Sequence, residues 1–259
     1  MASRPIFVVA GVGNASGTGG ATARLFAKQG YRVALIARNA EALEATASEL
    51  RNAGGDAAAF PVKEYSWSAI SDAFAAIKNH FQGSHIRATL YNVGAWHMGS
   101  FLDLKEQELQ NSLHMNVVIG AAFAQESIKA FFEAPDVAPG DQLRSRGSLL
   151  ITGATASIRG AAKFGAFAAG KVGLRALSQS LAREFAPQNI HVAHTIIDGG
   201  IVTDVRRERV KGTEAEGALE DASKFLNPNS IAESYWYLRN QDRSAWTLEL
   251  DLRPSSEKF

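Results

Sequence analysis

Cysteine is absent from all 259 residues. That removes disulfides, thiolate metal ligands and a cysteine nucleophile together, and no other pattern predicts a metal site. Long apolar runs are also missing: none approaches the roughly 18 residues of a membrane span. Charge of one sign is lacking too. The net charge is +1, so no global field recruits nucleic acid or an anionic membrane. The opening "MASRPIFVVAG" turns to strand pattern within about five residues, too early for a signal peptide. A cytoplasmic protein with no nucleic-acid or membrane partner is the expectation. Tyrosine is scarce, with five in the chain and none between Tyr91 and Tyr235, which leaves the middle of the chain without a phenol. Otherwise the composition, 46% hydrophobic and 20% charged, is that of an ordinary globular protein.

Short apolar runs alternate with longer stretches of helical periodicity. "IFVVA" (6–10), "RVALIA" (32–37), "AAAFPV" (57–62), "IRATLY" (86–91), "GSLLIT" (147–152), "IHVAHTII" (190–197) and "WTLELDL" (246–252) read as strands. Their near-continuous apolar character predicts a sheet covered on both faces. Helical patterns fall at 19–30, 39–55, 66–80, 105–132 and 166–185. Strict β-α alternation predicts one α/β domain, a Rossmann-like doubly wound parallel sheet. Two irregular stretches, 133–147 and the charged 204–228, read either as plain surface loops or as functional segments.

The first strand runs into "GVGNASGTGG". In a turn spaced Gly13-x-x-x-Gly17-x-Gly19, one glycine permits the bend, one lets backbone approach a pyrophosphate, and one lets helix pack on strand. The anion then sits at the helix N-terminus. Placed between a strand and an amphipathic helix, the turn predicts dinucleotide binding by Gly13, Asn14, Ser16, Gly17, Thr18 and Gly19. The second strand ends Ala37-Arg38-Asn39. A carboxylate there would hold the free ribose hydroxyl of NAD, whereas a guanidinium fork suits a 2′-phosphate. NADP is therefore expected over NAD, with Arg38 and Asn39 at the phosphate.

By this point the chain resembles the short-chain dehydrogenase/reductase family over essentially its whole length. The resemblance rests on the glycine turn, "YNVG" (91–94), "MNVVIG" (115–120), "FAAGKVGLRALSQSLAREF" (167–185) and "IHVAHTIIDGGIVTD" (190–204). It implies a seven-stranded sheet in the order 3-2-1-4-5-6-7, a bound NAD or NADP, a small-molecule substrate, and homodimers or homotetramers. It also implies roles. Lys171 fits the lysine that binds the nicotinamide ribose, and Asn116 fits the asparagine that holds a water in the proton relay. Asn92, Val93 and Gly94 fall at the strand end beside the cofactor, although the family's first asparagine there is Tyr91. Thr152, Gly199, Ile201 and Thr203 fall along the nicotinamide, with Asp198 at a proline position. The aspartate that commonly touches adenine is Lys63.

Two departures stand out. The family's tyrosine, which delivers the proton, falls on Phe167, and its serine falls on Ala154. A positioned general acid is worth about 10²–10⁴ in rate. Hydride addition to a ketone creates an alkoxide that needs a proton, whereas addition to an iminium creates a neutral amine. Addition to a conjugated C=C creates an enolate stabilised elsewhere. The losses therefore argue against simple alcohol–ketone exchange. Replacement donors are Lys171 itself; Asp198, otherwise a turn aspartate bonding its own backbone; and His97, otherwise a packing histidine. His114 and His194 read as structural. Trp96, His97 and Phe164 are the expected substrate contacts, and 204–228 the expected mobile lid. Within that lid Arg206, Arg207, Arg209 and Lys211 either meet an anionic substrate or pair with the acids that come after them.

Three functions remain open on sequence alone. One is an NADPH-dependent reductase with altered proton delivery, acting on an imine, an enone or an activated carbonyl. Another is a cofactor-binding sensor or scaffold without turnover. The last is non-redox cyclisation or isomerisation in the same pocket.

Overall fold

A computed structural model of the chain describes residues 4–13, 15–137, 145–214 and 216–257. Asn14 and residues 138–144 of the irregular 133–147 stretch lie outside the described residues. Seven strands form one parallel sheet: β1 (Ile6–Ala10), β2 (Arg32–Ala37), β3 (Asp56–Pro61), β4 (Ile86–Tyr91), β5 (Gly147–Thr152), β6 (Ile190–Ile197) and β7 (Glu249–Leu252). Their order is β3-β2-β1-β4-β5-β6-β7. This is the Rossmann-like doubly wound fold that the alternation predicts.

Alternation within single strands feeds two cores. Ile6, Val8 and Ala10 of β1 point into one apolar cluster with Phe74, Phe123 and Leu174. Phe7 and Val9 point into the other with Phe26, Leu43 and Tyr235. The helices divide accordingly. Beneath the first face lie α3 (Trp67–His80), α5 (Ile119–Glu133) and α6 (Gly165–Phe185); beneath the second lie α1 (Thr18–Lys28), α2 (Ala40–Asn52) and α8 (Pro228–Arg239). Four of the described α-helices begin on side-chain caps, Asn39 accepting from the Ala42 amide, Ser66 from the Ala69 amide, Thr203 from the Arg206 amide and Asn227 from the Asn229 amide, which satisfies donors that a helix start leaves open. None of the helices among the described residues is long and apolar enough to cross a membrane.

The helical pattern at 105–132 is broken in the middle. α4 (Glu106–Leu113) passes into one π-helical stretch, His114–Val118, before α5 begins. Wide turns of this kind collect at functional sites, and this one carries Asn116. The charged segment after β6 holds α7 (Asp204–Val210) and a single 3-10 turn, Gly217–Glu220. It is tied back by two short strands, Gly200–Ile201 and Phe225–Leu226, that pair in parallel.

Candidate active site

Strands β1, β4, β5 and β6 end on one side of the sheet, and the order reverses between β1 and β4. In doubly wound sheets ligands bind in the crevice opened by that reversal. Three features shape it. Gly13 holds φ 64°, a left-handed conformation that costs glycine nothing. A Cβ on Gly19 would collide with the Gly11 carbonyl oxygen, so helix α1 packs on the turn only because residue 19 lacks one. Asn92 Nδ2 donates to that same Gly11 oxygen at 2.7 Å, locking the turn to the end of β4. Gly17 and Thr18 open α1, while Ser16 Oγ accepts from the Asp204 amide at 3.0 Å.

Lysine, asparagine and glycine meet at the centre. A Cβ on Gly94 would lie 3.4 Å from Lys171 Nζ and 3.3 Å from Asn116 Oδ1. Lys171 is buried and donates to the Thr152 carbonyl at 3.0 Å. Burial lowers its pKa from the ordinary 10.5 to about 8, because an ammonium loses hydration there without gaining a carboxylate. Asn116 is buried, and its Nδ2 donates to the Ser112 carbonyl at 2.9 Å. Its Oδ1 has no hydrogen-bond partner among the described residues. A buried acceptor of that kind calls for a donor from a ligand or water.

Phe167 and Ala154 line the same cleft, of about 600 Å³, with Asn92, Gly94, Thr152 and Lys171. The Phe167 ring centre lies 5.9 Å from Lys171 Nζ. Trp96 and Phe164, whose rings pack edge to face at 6.0 Å, form an aromatic wall of the cleft, and Gly199 and Ile201 contribute to its lining. Two expected residues face elsewhere. The Val93 side chain is buried in the core. His97 lines a separate recess of about 180 Å³ with Phe101 and Lys163, its Nδ1 3.8 Å from Glu108. Thr203 stays beside the glycine turn: its Cγ2 lies 3.6 Å from where a Cβ on Gly17 would stand, while its Oγ1 caps α7, accepting from the Arg206 amide at 3.2 Å.

Asp198 is buried, with one oxygen accepting from Thr155 Oγ1 at 2.5 Å and the other 3.8 Å from Arg253 Nη1. Thr155 thus supplies one hydrogen bond that a buried carboxylate requires, while Oδ2 has no hydrogen-bond partner among the described residues. No sequence signal links these residues, which lie 43 positions or more apart. The Thr152 hydroxyl is likewise engaged, 2.7 Å from that of Tyr235, so only the Thr152 carbonyl serves Lys171. His194 is fully buried beneath Gly153, and burial lowers its pKa to about 4. At the outer rim Arg38 is exposed, its guanidinium 5.8 Å from the Tyr65 ring centre, while Asn39 caps α2.

The profile of the family described as short chain dehydrogenase matches residues 7–214. The human 3-oxoacyl-[acyl-carrier-protein] reductase is 26% identical over 201 residues, 78% of this chain and 78% of its own length. Carbonyl reductase family member 4 of Xenopus laevis is 25% identical over 231 residues, 89% and 90% of the two chains. The crystal structure of a short-chain dehydrogenase from Rhodopseudomonas palustris superposes with a TM-score of 0.75 at 30% identity, covering 96% of this chain and 98% of that one. The actinorhodin polyketide ketoreductase crystallised with NADPH gives a TM-score of 0.82 at 21% identity, covering 99% and 100%, a likeness of fold. With the glycine turn, the buried lysine and the asparagine all in one crevice, the chain belongs to the short-chain dehydrogenase family of oxidoreductases.

Proposed function

We propose that this chain is an NADPH-dependent reductase in which no phenol delivers the proton, acting on an imine, an enone or an activated carbonyl of a small organic molecule. One observation carries the reading. Phe167 and Ala154 stand in the cleft beside Lys171 and Asn116, so the groups suited to hold a cofactor remain where these two positions offer neither a phenol nor a hydroxyl to protonate an alkoxide.

The residues present fit a dinucleotide. Gly13 and Gly19 keep the turn close to α1, the open face of Gly94 leaves room beside Lys171 Nζ, and Asn116 Oδ1 is a buried acceptor awaiting a donor. NADPH bound there would supply the hydride. Lys171 would hold the ribose hydroxyls, and the turn with the N-terminus of α1 would meet the pyrophosphate. At the far end Arg38 offers its fork to a 2′-phosphate, with Tyr65 beneath it and no carboxylate directly after β2. The 204–228 segment, tied to the turn through Ser16 and Asp204, would act as the lid. Exposed Val118, Phe132 and Val172 on the long helices support a homodimer or homotetramer built there.

Fluorescence titration with NADPH and NADH, and then nicotinamide absorbance over a panel of ketones, enones and cyclic imines, tests the reading. NADPH binding with consumption on imines or enones is expected. Binding with no consumption across the panel would transfer the protein to cofactor-holding without turnover. Arg38→Ala is expected to weaken NADPH by roughly 10- to 100-fold, the worth of one charge-assisted contact, and NADH little. Equal weakening of both would contradict the 2′-phosphate assignment.

A further inference from the structure

Arg206 differs from its neighbours on α7. Arg207 pairs with Glu220, and Lys211 Nζ lies 3.4 Å from Glu208; both reach along the surface. Arg206 turns inward. Its guanidinium stacks over Phe225 at 5.1 Å, and its Nη1 occupies the space that a Cβ on Gly200 would need. Gly200 therefore opens the gap in which the guanidinium lies flat against the cleft. No carboxylate sits within ion-pair distance of Arg206 among the described residues, and it lines the 600 Å³ cleft with Phe167 and Lys171.

The charge balance of the cleft is one-sided. Arg159, Lys171 and Arg206 line it, and no aspartate or glutamate among the described residues does. Arg159 has only a distant partner, Glu257 at 3.9 Å. A half-buried guanidinium without a counter-charge holds donors in a fixed fork that matches a carboxylate or phosphate. Trp96, Phe164 and Phe167 line the same cleft and give it an apolar surface suited to a flat or aliphatic body.

We infer that the substrate is an anion, an apolar or aromatic body bearing a carboxylate, which Arg206 binds at the lid side of the cleft while the body lies against Trp96 and Phe164. The inference rests on the reading of this cleft as the substrate site and adds its selectivity.

Calorimetry with two unreactive probes of one shape, phenylpropionate and its neutral amide, tests this on the NADP-saturated protein. The acid is expected to bind at least about tenfold more tightly than the amide, the worth of one charge-assisted contact. Arg206→Gln should bring the affinity for the acid down to that for the amide, and Arg206→Lys should keep part of the preference. NADPH affinity, measured alongside, should change less than about twofold in both variants, since Arg206 is assigned to the substrate alone. Equal binding of acid and amide, no saturable binding of the acid at millimolar concentration, or an Arg206→Gln loss in NADPH affinity as large as the loss for the acid would each overturn the proposal. The last outcome would make Arg206 a clamp on the cofactor pyrophosphate. Binding rather than turnover is read, so a protein that selects the acid yet consumes no NADPH retains this inference while the reductase reading falls. Should NADP fail to bind, the same comparison on the cofactor-free chain still decides the question.

Discussion

Lys171 holds its ammonium 5.9 Å from the centre of the Phe167 ring, one turn earlier on the same helix. The four-residue spacing puts both side chains on one face of α6. A cation near a ring gains about 0.5–2 kcal/mol from the ring quadrupole, so phenylalanine is a compatible neighbour although it holds no proton. A hydroxyl at this ring's edge would enter a cleft already furnished with Lys171 and Asn116. Phe167→Tyr combined with Ala154→Ser is expected to raise ketone reduction by about 10²–10⁴-fold, the usual worth of a positioned acid. Steady-state rates on a simple ketone check it. A double variant that binds NADPH normally and stays at background would show that supplying a phenol and a hydroxyl at these positions is not enough for ketone reduction.

The titration of Lys171 sets a pH dependence of stability. Burial places its folded pKa at about 8, against 10.5 for an ordinary lysine. Between those values the unfolded chain binds more protons than the folded one, so stability rises with pH across that window. Below about pH 8 both states are protonated, and the cost of burying the charge is constant, on the order of 3 kcal/mol. Lys171→Met should therefore melt higher than the parent protein near neutral pH, with the gap narrowing as pH climbs from about 8 towards 10. Scanning calorimetry on the two proteins over that range reads the gap. A gap that does not vary with pH would mean that the lysine is solvated.

Local chemistry made the sheet legible, and long-range contacts hid the rest. β1, β2, β4, β5 and β6 coincide with their apolar runs because burial on both faces leaves little else for those residues to be. β3 starts one residue earlier than its run, and β7 keeps only Glu249–Leu252 of a seven-residue pattern. Helix α8 escaped the pattern although Asn227-Pro228 is a cap with proline in the first turn, a start signal in its own right. Polar Asn229, Ser230, Glu233 and Ser234 in its first half disguised a helix with one buried face. Arg206 and Arg207 are indistinguishable in sequence. Gly200 and Phe225, on the two short paired strands, decide which of them faces the cleft. The Thr155–Asp198 contact depended in the same way on where β5 and β6 end.

The π-helical stretch is the other feature that periodicity could not reveal, and its support is testable. Tyr91 closes β4. Its hydroxyl donates to the carbonyl of Met115, inside His114–Val118. Tyr91 is 1% exposed, and burial pushes its pKa well above the ordinary 10, so the phenol keeps its proton and remains a donor. Met115 precedes Asn116, whose Oδ1 faces Gly94, so this bond positions the asparagine from behind. Tyr91→Phe removes the donor while keeping the ring packed against Phe123, and should cost about 1–3 kcal/mol of stability. Cofactor affinity should fall with it, because the asparagine loses its fixed backbone. Tyr91→Leu should cost more, since a cavity is added to the lost bond. Urea denaturation and NADPH titration on the two variants measure both effects. If Tyr91→Phe keeps wild-type stability and affinity, the wide turn is held by the packing of α5 on α6 alone.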